Sequence, residues 1–344
     1  MAGAEGTVKV NISAAAKIEN GSATTYVGES GLDAAFNNSD YAGATFTLLA
    51  NVTRATTLRI KINCTLDLNG HNIKSTNKTC LSVDGSVAVT IQGEGEIISE
   101  QIYALVVIGS VTLEGGTFTS NKGDCGGVYV NYGTLSVIGE NVVIQNTSNG
   151  GYGLAVNNAR SVQLSGGKYS GTAGAISIVG GSLTLGDLLG HSDDTRYAYF
   201  DESGTTPFTG VLGNKSLTGT VTVKPCDHST VTAADNGDGT HSTPECPACG
   251  RPATGPEAHD WTEAKSCTVC GAVAVAKVEK DSATTLVDKA AFLNAFKDST
   301  NNGVTITMLN DVELAGNESI RSSCSCTLDL NGQTVKATGS GAFN

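Results

Sequence analysis

Aromatic side chains make up only 5% of this 344-residue chain, and it holds one tryptophan, two methionines and six prolines. So few rings exclude a core of bulky side chains and leave Val, Ile, Leu and Ala to pack, which suits thin stacked strands. So few prolines beside 43 glycines exclude a Pro-rich linker and point to many tight turns in a chain folded throughout. Basic residues are the minority, 21 Lys and Arg against 33 Asp and Glu, and the net charge of -12 argues against nucleic acid or an anionic membrane surface as partner. No apolar run is long enough to span a bilayer. The opening MAGAEGT lacks the basic start and apolar run of a signal peptide, and Met1 to Gly3 reads as a cloning scar on an excised piece of a larger protein.

Helical periodicity is scarce as well. The chain carries instead TLDLNG twice, at Thr65 to Gly70 and at Thr327 to Gly332. In each copy the two leucines face one way and the aspartate the other, and Asn-Gly closes the strand as a turn. An apolar residue two places before a glycine recurs at Leu68, Ile91, Leu113, Val137 and Leu164, in steps of 23, 22, 24 and 27 residues. Short alternating strands on such a period predict an all-β fold, a right-handed parallel β-helix of six or seven coils. Further strands are expected at Leu81 to Val83, Leu105 to Ile108, Val128 to Val130, Leu154 to Val156 and Ala175 to Ile178.

Residues 1 to 50 read as the N-terminal cap, with a strand at Val8 to Ile12, a short amphipathic helix around Leu32 to Asn37 and a strand at Thr45 to Leu49. Residues 51 to 224 read as the β-helix and its C-terminal cap. Within them, Asp187 to Gly213 breaks the period, and its Tyr197, Tyr199, Phe200 and Phe208 would cover the last open coil, with a binding loop as the alternative reading.

Residues 225 to 272 concentrate the chemistry. Cys246-Pro-Ala-Cys249-Gly and Cys267-Thr-Val-Cys270-Gly have the spacing of paired zinc knuckles, whose two sulfurs reach one tetrahedral ion. With Cys226, His228, His241 and His259 they make eight ligands, enough for two closed structural Zn2+ sites. The partition expected is Cys226, His228, Cys246 and Cys249 for one ion and His241, His259, Cys267 and Cys270 for the other. A disulfide-linked module is the alternative, which leaves the interleaved histidines unexplained. From residue 273 the first half begins again: SATTYV at Ser22 returns as SATTLV at Ser282, and the cap helix returns at Lys289 to Lys297. Residues 273 to 344 therefore read as the cap and first coil of a second, truncated unit. Cys64, Cys80, Cys125, Cys324 and Cys326 read as small buried hydrophobes of the coils.

TLDLNGHNI, LEGGTF, LSGGKY, YAYFDESGT and the series CDH, NGDGTHS, CPACG, HDW and CTVCG resemble the modular β-helix surface proteins of Gram-positive gut commensals. That resemblance implies export, a bacterial cell-surface location and an adhesin-like role, with immunoglobulin binding of the superantigen kind in some members. The function it suggests is a non-catalytic binding protein whose β-helix face docks an immunoglobulin or, next, a mucin-type glycan. Tyr129, facing outward from its strand, Tyr132 and Tyr152, in glycine-flanked turns, and Arg160, between strands, are the candidate contacts, because exposed tyrosine and arginine anchor interfaces. Two other functions remain, a polysaccharide lyase or hydrolase of the β-helix class and a spacer. Arg59-Ile60-Lys61 echoes a hydrolase motif, but the companion acidic motifs are missing, so the expectation is that the chain is not an enzyme.

Overall fold

The computed structural model describes residues 13–185, 196–209, 216–316 and 318–339. Two compact units divide the chain: one reaches to His228 and includes Pro247–Cys249, the other holds Ser229–Cys246 and everything from Gly250 on.

The first unit is a β-solenoid with three faces. The first face carries the parallel strands Thr45–Leu48, Cys64–Asp67, Ala88–Gln92, Ser110–Leu113, Thr134–Val137, Ala159–Leu164 and Gly181–Leu185, one above the next. The second runs from Val52–Arg54 to Lys168–Gly171, and the third stacks six strands from Leu58–Ile60 to Gly174–Ile178. Side chains alternate across each strand. On the third face Leu58, Leu81, Leu105, Val128, Leu154 and Ile176 form one fully buried row. On the second, Val52, Ile73, Ile97, Phe118, Ile144 and Tyr169 form another.

The sequence ladder is right from Ile91 onward, but its first rung is displaced. Ile91 pairs with Leu66, not Leu68. Leu68 is also buried, but it lies past the strand end, where Asn69 (φ 47°) and Gly70 (φ 78°) turn the corner to the next face. Two successive residues in the left-handed region are what Asn-Gly tolerates best.

The cap holds the expected strand at Thr45–Leu48 and, besides it, a hairpin. Val8 to Ile12 lies outside the described residues. The cap strands that are described, Ala16–Asn20 and Ala23–Val27, form a hairpin that pairs antiparallel with Thr45–Leu48. The helix Leu32–Ala35 buries Leu32 and Ala35, followed by Phe36, which stacks on Phe46 at 4.3 Å. At the other end, Tyr197–Phe200 is buried throughout and pairs antiparallel with Thr220–Pro225, which pairs antiparallel with Lys168–Gly171. Of the segment expected to break the period, residues 187–195 and 210–213 lie outside the described residues.

One row points inward although it is polar. Ser75, Ser99, Ser120 and Asn146 stand in register at the end of the second face and are all buried. Each answers the backbone of the corner beside it: Ser99 Oγ donates to Lys78 O at 2.8 Å, and Asn146 Nδ2 donates to Lys122 O at 2.8 Å and Cys125 O at 2.9 Å. Corner carbonyls turned inward would otherwise lose water without a replacement donor. Asn146→Leu should therefore lower stability by about 1–3 kcal/mol, the cost of leaving such groups unpaired. Its urea midpoint should fall, and an unchanged midpoint would show that the corner carbonyls are satisfied without Asn146.

Cys64 and Cys80 are buried and free. Burial pushes each thiol up to about 12, with nearby hydrogen bonds and Arg54 pulling only weakly the other way at Cys80. Both stay protonated and shielded at neutral pH. Neither should react with a thiol-specific reagent at pH 8 until the first unit is unfolded, which a native-against-denatured thiol titration checks.

The second unit opens on a three-stranded antiparallel sheet, Ala234–Asp235, Thr240–Thr243 and Thr254–Ala258. It continues with a copy of the cap. Ala276–Lys280 and Ala283–Val287 pair as Ala276 with Val287, and Ala276 meets Met308, which repeats Ala16 with Val27 and Leu48 in the first unit. Thr305–Met308 then takes Thr327–Asp329 as a parallel neighbour. The repeat is offset by 260 residues as far as Val312 and by 262 from Thr327. Those two extra residues fall where the first unit has its third-face strand Leu58–Ile60, and no strand is assigned there among the described residues. Leu328 and Leu330, counterparts of the fully buried Leu66 and Leu68, are half-buried and exposed.

Candidate metal centre

Both Cys-x-x-Cys-Gly segments fold into the same turn. Gly271 N–H donates to Cys267 O at 3.1 Å and Cys267 N–H to Ala272 O at 2.7 Å; Gly250 N–H donates to Cys246 O at 2.8 Å and Cys246 N–H to Arg251 O at 2.9 Å. The glycine after each second cysteine has φ near +70°, 72° at Gly271 and 69° at Gly250. A side chain would be strained there, so the glycine allows the chain to fold back under the two sulfurs.

In the second unit this turn meets two histidines. His241 comes from the middle strand of the small sheet, and His259 follows its last strand. Their ligand atoms and those of Cys267 and Cys270 all lie within 4.8 Å of one another. His241 Nδ1 is 3.9 Å from Cys267 Sγ, and the two imidazoles are stacked 5.7 Å apart, 5° from parallel. Trp261 closes one side, its ring 4.7 Å from that of His259 at 78°. His259 is fully enclosed, yet neither ring nitrogen has a hydrogen-bond partner. A buried imidazole with two orphaned nitrogens carries a desolvation cost that a bound cation would remove. Two cysteines and two histidines are a donor set that would suit a tetrahedral ion such as Zn2+ and would fill all four of its positions.

Electrostatics divide the two thiols. Burial raises Cys267, but backbone hydrogen bonds from Cys270 and Val269 outweigh it and bring the thiol below its usual range. Cys270 is held above that range, first by burial and further by Cys267 and the carboxylate of Asp235.

Of the other four expected ligands, Cys226, His228 and Cys249 come together in the first unit. Their ligand atoms are within 4.8 Å of one another, with Cys249 Sγ 3.4 Å from His228 Nδ1. His228 takes φ 59° to reach that position. Cys246 is buried at the start of the same knuckle turn, its Sγ 3.7 Å from Thr230 Oγ1.

The candidate docking residues do not form one cluster of a single kind. Tyr129 points outward from Gly126–Asn131, stacks on Tyr103 at 4.5 Å and 15°, and accepts a hydrogen bond from Asn157 Nδ2 at 2.8 Å. Tyr132 sits in a turn at φ 58° and is 57% exposed. Tyr152 is not in a turn but begins the strand Tyr152–Asn157, half-buried. Arg160 is not between strands but within Ala159–Leu164, exposed. Tyr103, whose stack on Tyr129 widens the aromatic surface, was not legible because it precedes its strand at no fixed place in the repeat.

Protein-family models, curated proteins and solved structures give no match to this chain. The likeness to commensal surface proteins therefore rests on sequence motifs alone. The β-solenoid, and Cys/His groups that could hold a metal ion, are what the structure establishes.

Proposed function

We propose that the chain is a non-catalytic, extracellular binding protein of a bacterial surface, built of repeated β-solenoid units joined by a Zn2+-stabilised segment. The observation that carries this reading is the repetition itself: the same hairpin, helix and first parallel strand recur in the same register after a Cys/His segment. Repeated docking units raise local concentration and turn modest affinities into durable attachment.

The third face is the surface favoured for docking. Its outward row runs Arg59, Ser82, Val106, Tyr129, Ala155 and Ser177, of which Ser82 is buried and Tyr129 stands between Val106 and Ala155. A rigid aromatic pair in a flat surface is a common interface anchor. An immunoglobulin variable domain is the first partner to test and a mucin-type glycan the second. Immobilised chain should retain one of them, and Tyr129→Ala should weaken capture by about tenfold or more, since anchor residues contribute on the order of 2 kcal/mol. Cleavage of a polysaccharide would replace this reading with an enzyme of the β-helix class, and silence toward every ligand would leave a spacer.

A further inference from the structure

Asp288 stands where the first unit has Gly28: the aligned segments are SATTYVG and SATTLVD. In the first unit no side chain caps the helical turn that follows Gly28. In the second, Asp288 is buried at 2% exposure and uses both carboxylate oxygens. Oδ1 accepts from Ala291 N at 2.8 Å and so caps the helix Lys289–Ala295. Oδ2 accepts from Gly239 N at 2.9 Å, two residues before His241, and lies 3.6 Å from His259 Nδ1. The loop that carries Gly239 is tied on its other side too, because His259 N–H donates to Gly239 O at 3.3 Å. On the other edge of the imidazole, Nε2 is 3.6 Å from Asp235 Oδ1, while Nδ1 faces the carboxylate that also begins the cap helix.

Building on the reading of His241, His259, Cys267 and Cys270 as a metal site, we propose that Asp288 is the positioning residue for His259 and makes metal binding and capping of the second solenoid one event. With Nδ1–H directed at Asp288, His259 has a fixed tautomer and a fixed ring, and Nε2 is presented as the metal ligand. The same carboxylate holds the first turn of the helix whose Phe292, Leu293 and Phe296 build the core of the second unit. A helix cap needs only an acceptor oxygen, so Ser would serve that role. Orienting an imidazole donor without loss of ligand basicity calls for the carboxylate. Asp288→Gly reproduces the first unit and removes both.

The test uses the whole chain and reads zinc affinity by competition with a chromogenic chelator, together with thermal unfolding of the metal-free and zinc-loaded forms. Asp288→Ser keeps an oxygen for the helix cap but not the acceptor for Gly239 N, so it should lower the metal-free melting temperature less than Asp288→Gly does, and it should weaken zinc binding about 10- to 100-fold at one site, the usual effect of removing such a partner. Asp288→Gly should lower both. In the unaltered chain, zinc should raise the melting of the second unit, and in Asp288→Ser that rise should shrink. Equal zinc affinity in Asp288→Ser and the unaltered chain overturns the proposal, leaving Asp288 as a cap alone. An unaltered chain that binds no zinc refutes the metal reading beneath it, a separate outcome from the first.

Discussion

Treatment with a strong chelator is expected to unfold the segment from Cys226 to Cys270 while the first solenoid keeps its β-sheet signal. The reason is what that segment buries. Between residues 226 and 274 the buried apolar side chains are Cys246, Ala248, Cys249, Cys267 and Ala274, with no Val, Leu, Ile or Phe among them. None of these residues joins either hydrophobic core. A module that buries so little apolar surface cannot meet the conformational entropy of folding unaided. Metal coordination can, since structural Zn2+ sites supply on the order of 10–16 kcal/mol at neutral pH. Metal analysis of the purified chain should return about two zinc ions, as the two ligand sets imply. Trp261, the only tryptophan, lies against His259 and so reports on this site without interference. Its emission should change on chelation and recover on adding zinc, and new proteolytic cuts should fall in the same segment. A chain that holds no metal and shows no change in Trp261 emission would remove zinc from the account of this module.

Phe118→Ala is expected to be the most damaging single change in the first solenoid. Phe118 is completely buried, stands between Ile97 and Ile144 on neighbouring coils, and lies in a row with one inward side chain per coil. A solenoid coil contacts only the coils on either side, so a void in the middle of the stack has no distant layer to collapse into it. Removing the ring should cost about 3–5 kcal/mol. Thr112→Ala, on an outward row of the first face, is the matched control and should stay within about 0.5 kcal/mol. Urea unfolding followed by far-ultraviolet circular dichroism compares the two, and a loss below about 1 kcal/mol for Phe118→Ala would mean that the coils relax around the gap.

The coil period was legible because alternation and turn glycines report burial directly, and from Ile91 to Leu164 the residues named from the sequence are those in register. The slip at Leu66 was not legible. Both leucines of the first TLDLNG are buried, and only the pairing partner tells strand from corner. The cap hairpin had a signal in Asn20-Gly21 flanked by AKIE and SATTYV, but its threonines and lysine look like a solvated loop when their strand partners are unknown. The inward row of Ser75, Ser99, Ser120 and Asn146 defeats a hydrophobicity reading altogether, since its logic lies in corner backbone groups, for Ser99 and Asn146 carbonyls far off in sequence. The Cys/His groups that could hold a metal ion were legible because cysteine pairs and histidines are rare and closely spaced in this segment. Asp288 was not, since its role needs the geometry of three separate segments.

The pairing pattern of the first solenoid also bears on how it forms. Every parallel rung joins residues about one coil apart, as Ile73 with Ile97 or Val130 with Val156, so each new strand closes only a short loop onto the strand before it. Closure entropy grows slowly with loop length and stays small here. Contact order is low for an all-β protein, and folding can start at the hairpin and advance coil by coil as the chain emerges. The antiparallel strand Thr220–Pro225, which must reach back to Lys168–Gly171 across a longer stretch, completes the stack last.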